Sequence, residues 1–177
     1  RLAMLLHDMG KPALKTVDEA GVAHFKKHAL ESERIAGNVL RRLKFDNDTI
    51  RKVTRLVRYH DLRMPATAKS VRRAMNQIGE ELFPYYMEVR RADVLAQSMY
   101  QREEKIENLD QIEELYRQIV EDGDCVSLKD LAVTGRDLIA SGMKPGKEIG
   151  EKLEELLKLV IEDPKLNTKE ELLKRLN

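Results

Sequence analysis

His7 and Asp8 stand side by side in Leu5-Leu6-His7-Asp8-Met9-Gly10-Lys11-Pro12, at the end of an apolar run. An imidazole and a carboxylate there offer mixed nitrogen and oxygen ligands where a helix dipole is negative, a place that suits a divalent cation. Neighbours in sequence lie ~100° apart around a helix, so both reach one cation only at a frayed end, and further ligands must come from elsewhere. The stock is small. The other histidines are His24, His28 and His60, and Asp93 falls among Val89, Ala92, Ala96 and Met99. A carboxylate in apolar surroundings requires a partner, either a cation site or simply Arg90 or Arg91. Ligation of this kind admits Mn, Ni, Co, Fe or Mg. Lys11, just past the doublet, either balances phosphate charge or stands in solvent.

These residues need elements to hold them. The chain opens with Arg1 and apolar Leu2, Ala3, Leu5 and Leu6, without initiator Met or cap, and reads as a fragment beginning inside a helix. Gly10, in the left-handed C′ position, and Pro12 end that helix, which places His7 and Asp8 in its last turn. Residues 13–25 read as a loop. Apolar spacing predicts a second helix over 27–43 and a third capped by Asp46 or Asp48 and ending near His60-Asp61. Residues 71–78 make a fourth. No strong breaker occurs over 84–120, which predicts one long or bent helix.

The texture changes after Asp122-Gly123-Asp124. Ser127-x-x-Asp130, Thr134-x-x-Asp137 and Thr168-x-x-Glu171 have capping-box spacing, and each marks a helix start. Ile149, Leu153, Leu156, Leu157, Val160 and Ile161 form one apolar stripe. Lys144-Pro145-Gly146-Lys147 opens that helix. Its free amides favour a phosphate, or else Gly146 and Gly150 serve close helix packing.

The composition, 36% charged and 5% aromatic with no Trp, favours helices over a sandwich or barrel, so the expected class is all-α. No apolar run approaches the ~18–20 residues of a bilayer span, and no secretory leader opens the chain; a soluble, cytoplasmic protein without a membrane partner is expected. A single cysteine, Cys125, excludes an internal disulfide framework or a multi-Cys zinc site. The net charge of +1 conceals asymmetry: residues 34–73 carry twelve Lys/Arg against three Asp, and residues 103–124 nine acids against two bases. Either a basic side faces a polyanion, or two solvated faces attract each other. The D-x-D triplets at 46–48 and 122–124 sit at helix boundaries and read as turn or cap residues.

Taken together, His7-Asp8, Gly21-x-x-His24-Phe25-x-x-His28 and Tyr59-His60-Asp61 resemble the HD superfamily of metal-dependent phosphohydrolases. The later block, from Asp130-Leu131-x-Val133-Thr134-Gly135-x-Asp137 through Pro145-Gly146-x-x-Ile149-Gly150 to Asn167-x-x-Glu170, is similar to the tail of bacterial CCA-adding tRNA nucleotidyltransferases and related poly(A) polymerases. The resemblance implies an HD helical bundle over 1–122 and a smaller helical tail over 123–177. It implies a divalent-metal phosphohydrolase site with His7, Asp8 and Lys11 in catalysis, and His7, Asp8 and Asp93 as ligands. Histidines resembling His28 and His60 complete a second metal site in two-metal relatives, and His24 faces substrate or supports the ligands. The first His of the HD pattern has no counterpart here.

By the same resemblance tRNA is the partner, with Arg41, Arg42, Arg55, Arg58, Lys144 and Lys147 on its backbone. Nucleotide addition belongs to a head outside this sequence, since no strand-like carboxylate pair or phosphate loop occurs. The alternatives are a stand-alone HD phosphohydrolase acting on nucleotides or cyclic phosphodiesters, and a non-catalytic RNA-binding scaffold. Oligomeric state is not legible.

Overall fold

The computed structural model describes residues 1–176, and their fold is all-α, as the composition predicts. The chain forms two compact units, one from Arg1–Met64 and Ile78–Asp110, the other from Pro65–Gln77 and from Gln111 onward. The expected division at 122/123 therefore falls inside the second unit.

In the first unit, α1 (Leu2–Leu6) leads through a 3-10 turn at Pro12–Leu14 to a minimal hairpin, β1 (Thr16–Val17) against β2 (Ala23–His24), antiparallel with Thr16 opposite His24. Residues 13–25 are thus less irregular than expected: Asp18 Oδ1 accepts the amides of Ala20 and Val22, and Gly21 supplies the positive φ of 78°. Next come α2 (His28–Arg42) and α3 (Asn47–Tyr59), which pack on each other, and α1 lies against both α3 and α5 (Phe83–Ala96). Lys44, at φ 59°, turns the chain out of α2, and Asp46 caps α3 by accepting the Thr49 amide at 2.8 Å. Leu6, Leu40, Val57, Phe83 and Tyr86 are among the buried side chains.

The single helix expected over 84–120 is in fact two, α5 and α6 (Arg102–Glu121). Gln97 swings to an extended ψ of 176° while its side chain donates to Asp93 Oδ2 at 2.8 Å, and Gln101 adopts φ 51°. The Arg102 guanidinium then bonds the Gln97 carbonyl. Side-chain bonding breaks this helix where neither Gly nor Pro is present.

The second unit takes α4 (Ala68–Ile78) up to Gln77, the later turns of α6, α7 (Gly135–Ala140), α8 (Lys147–Glu162) and α9 (Lys169–Leu173). Its core gathers Leu131, Val133, Leu138, Leu156, Leu157, Val160, Ile161, Leu172 and the thiol of Cys125, with Ile149 and Leu153 at its margin, so the predicted stripe is the buried face of α8. Arg72 is buried here: its Nε donates to the Ile161 carbonyl at 2.9 Å and its Nη1 to Asp124 at 3.0 Å, which places a cation at the C-terminal end of α8. Thr134 and Asp137 form a full capping box and Thr168 accepts the Glu171 amide, whereas Ser127 bonds only the Asp130 side chain and opens a 3-10 turn, Leu128–Asp130, rather than an α-helix. Among the described residues, no helix is long and apolar enough to cross a membrane.

The cap at Asp137 sets a pH dependence. The Lys169 ammonium, the Thr134 hydroxyl and the Thr134 amide all stabilise its anion and hold its carboxyl well below the usual range. An unfolded Asp titrates near about 3.9, so this contribution is complete above that pH and fades as the pH falls through the lower folded value. Asp137→Asn should lower the melting temperature at pH 7, and the gap to wild type should close toward pH ~2. Thermal circular dichroism at both pH values checks this, and an equal gap at each would refute it.

Candidate metal centre

The ends of three helices and the last turn of a fourth deliver the predicted residues to one place in the first unit. His7 and Asp8 follow α1, His28 opens α2, His60 follows α3, and Asp93 lies within α5. His7, Asp8 and His60 each offer a ligand atom within 4.8 Å of the others. His7 Nε2 lies 3.3 Å from Asp8 Oδ2 and 3.6 Å from Asp93 Oδ1. His28 and His60 place their Nε2 atoms 3.4 and 3.5 Å from Asp8 Oδ1, and 3.1 Å from each other.

The three imidazoles share one device. Each Nδ1 meets the carbonyl three residues back: His7 to Met4 at 2.7 Å, His28 to Phe25 at 2.9 Å and His60 to Val57 at 2.7 Å. A carbonyl only accepts, so each Nδ1 carries a proton, and each Nε2 is turned inward, with its lone pair available whenever the ring is neutral. Asp8 Oδ2 is taken by Lys11 Nζ at 2.5 Å, whereas Oδ1 is buried without a hydrogen-bond partner. Imidazole lone pairs and an orphaned carboxylate oxygen therefore face one another, the donor set of a borderline divalent cation. The residues fit such an ion.

Electrostatics divides these residues. Burial pushes the His60 pKa down, and the nearby His7 and His28 charges add to this. Asp93 raises that of His7 through their hydrogen bond, against the opposing effect of burial. Burial works to raise Asp93, but bonds from His7 and Gln97 and the charge of Arg90 bring it below the usual carboxylate range. Asp93 thus has both partners offered by its sequence setting, the site and Arg90, at 3.4 Å. A cavity of about 340 Å³ opens beside the cluster, lined by Asp8, Lys11, His28, His60, Asp93 and Gln97 among others. His24 also lines it but bonds Asp18 at 2.8 Å.

Gly10 departs from expectation. It is not left-handed; it is the point where the chain meets α2. Its amide donates to the buried Ser32 hydroxyl at 2.9 Å, and a Cβ there would lie 2.5 Å from the His28 carbonyl oxygen.

Comparison with known proteins gives the family of the chain. The family described as tRNA nucleotidyltransferase domain 2 matches residues 18–176. The chain belongs to this family. It is 34% identical over 173 residues to the CC-adding tRNA nucleotidyltransferase of Thermus thermophilus, a match covering 97% of this chain and 38% of that protein. The chain thus spans well under half the length of this relative. No solved structure matches it.

The basic residues of this tRNA nucleotidyltransferase domain 2 chain are more engaged than their number implies. Arg51 and Lys52 pair with Asp48, Arg58 with Glu33 at 2.7 Å, and Lys69 and Arg73 with Glu162. All of these acids lie outside the 103–124 run, which reaches the basic segment through the Arg72–Asp124 pair. Local acids, rather than attraction between the two runs, take up this charge. Arg41, Arg42, Arg55 and Arg58 are exposed in the first unit, Arg55 and Arg58 over the Tyr59 ring. Lys144 and Lys147 are exposed in the second, Lys147 bonded to Glu151. Nothing approaches within 4 Å of a Cβ placed on Gly146 or Gly150, so these glycines do not pack helices; Gly135 does, 3.1 Å from Ile149.

Sequence reasoning misses Tyr86 and Gln97, and takes Arg90 only as a partner for Asp93. The signal is present in their spacing with Asp93, which puts all four on one face of α5 and its C-terminal end.

Gly10→Ala tests whether this close approach positions the site. A Cβ 2.5 Å from backbone must displace α2 or the His7-Asp8 turn, at about 1–3 kcal/mol for overpacking. Thermal unfolding should show a melting temperature several degrees lower, and an unchanged one would refute the contact.

Proposed function

We propose that this chain is the HD and tRNA-binding portion of a CCA-adding-type tRNA nucleotidyltransferase, serving tRNA 3′-end processing and carrying a divalent-metal phosphohydrolase site. The observation that carries the reading is the inward Nε2 set of His7, His28 and His60 around the orphaned Asp8 Oδ1, with Asp93 beside it. Family membership and the likeness to a CC-adding enzyme support the tRNA assignment.

His7, Asp8, His60, His28 and Asp93 would hold the cation. When bound, such an ion polarises a phosphoryl oxygen and makes water a better nucleophile at neutral pH. The protein's own groups do the rest. Lys11 sits at the cavity wall, 2.5 Å from Asp8, where its ammonium balances charge on an incoming phosphoryl group. The Nδ1–H bonds fix the tautomers, so no ring has to reorient when the site is used. Exposed Arg41, Arg42, Arg55, Arg58, Lys144 and Lys147 are assigned to the RNA backbone, which they would position by shape and charge. Nucleotide addition is assigned outside this chain, since the strands among the described residues are the two-residue pair of the hairpin.

Equilibrium dialysis against Mn²⁺ or Ni²⁺ should show metal bound by wild type and lost by His7→Ala; full occupancy in the variant would overturn the site. Loaded protein should hydrolyse a cyclic phosphodiester. It should also bind tRNA with an affinity that falls steeply as salt rises, because lysines and arginines release counterions from phosphates. Hydrolysis without tRNA affinity would instead identify a stand-alone phosphohydrolase, and affinity without metal or hydrolysis an RNA-binding scaffold.

A further inference from the structure

The polar stripe of α5 has work beyond Asp93. Tyr86, Arg90, Asp93 and Gln97 are spaced i, i+4, i+7 and i+11, and Tyr86, Arg90 and Asp93 are 1, 8 and 8% exposed. Burying a guanidinium is expensive unless it holds specific acceptors. Arg90 Nη1 donates to the His60 carbonyl at 3.0 Å and lies 3.4 Å from Asp93 Oδ2 and 3.9 Å from Asp61 Oδ1, while its Nε is buried without a partner. One nitrogen thus touches the main chain of one candidate ligand and the carboxylate of another.

The need for it follows from where His60 sits. It comes directly after the last residue of α3, where the helical ladder no longer fixes the backbone. The ring is aimed by its Nδ1 bond to Val57, but the peptide that carries it is held by Arg90. On Asp93, Arg90 and Gln97 both approach Oδ2, and Oδ1 is the oxygen 3.6 Å from His7 Nε2. We propose that Arg90 is a positioning residue of the candidate metal centre, locking His60 and Asp93 into one geometry. The proposal rests on the metal reading of the site.

Tyr86 provides the control. Its hydroxyl donates to the Leu62 carbonyl at 2.7 Å and also meets the Arg90 side chain, so it ties α5 to the same stretch of chain and touches Arg90 without a hydrogen bond to Asp93. Co²⁺ titration of the metal-free chain, followed by visible absorption, should show Arg90→Gln binding about tenfold or more weakly with an altered band shape, as expected when groups supporting metal ligands are removed. Arg90→Lys keeps the charge but not the rigid, planar guanidinium that sets Nη1 between both acceptors, and should recover part of the affinity. Tyr86→Phe should lower the melting temperature while Co²⁺ affinity shifts by less than about threefold.

Wild-type Co²⁺ affinity in Arg90→Gln would overturn the inference. So would equal weakening in Arg90→Gln and Tyr86→Phe at matched losses of melting temperature, which would make Arg90 a plain structural tie. If Arg90→Gln does not fold, Arg90→Lys carries the test: full wild-type affinity and band shape would then overturn it. Wild-type Co²⁺ affinity in His7→Ala is a separate result, and it removes the metal reading itself.

Discussion

Two inward-facing imidazole nitrogens 3.1 Å apart and a buried carboxylate oxygen without a hydrogen-bond partner crowd polar groups into a low-dielectric space that favours something positive between them. That unmet demand organises the first unit. The Nδ1 bonds keep the protons on the outer side of the rings, and Lys11 satisfies only the other oxygen of Asp8. Gly10 lets the turn after α1 come close enough to α2 for His28 to join, and Ser32, through its bond to that amide, fixes the approach. Perturbed, closely packed groups of this kind gather where a fold has chemistry to do.

The second unit is built on a different principle. Its short helices are too brief to be stable alone, and they are held by side-chain caps and by a compact apolar core around Leu138, Leu156 and Leu172. Arg72 adds a buried cation against the carbonyl end of α8, a structural use of a residue that composition alone counts toward a polyanion surface. Charge totals over a segment overstate what is available to a ligand, because local acids such as Asp48, Glu33 and Glu162 take up much of it.

The His/Asp cluster is legible in the sequence because its chemistry is rare in this chain: with four histidines, and with Asp93 set among Val89, Ala92 and Ala96, few combinations exist. The capping pairs are legible for a similar reason, since Thr134-x-x-Asp137 and Thr168-x-x-Glu171 carry their bonding in their spacing. The break at 97–101 is not, because it depends on Gln97 reaching back to Asp93 and on Arg102 reaching the Gln97 carbonyl, bonds that leave no Gly or Pro signal. Gly10 misleads for the opposite reason. A glycine shortly before a proline reads as a left-handed stop, whereas here it is required by what a side chain would strike, the backbone of a helix that begins at His28. That neighbour is distant in the chain, and local spacing carries no trace of it.

Cys125 lies in the core of the second unit, and burial, with Asp130 nearby, pushes its thiol up to about 11. At neutral pH it is neither ionised nor reachable, so alkylating agents meet it only when that unit opens. The chain thereby carries a built-in clock: the rate at which this one sulfur is modified counts openings of the tail, while cysteines introduced on the surface can be labelled selectively in the folded state.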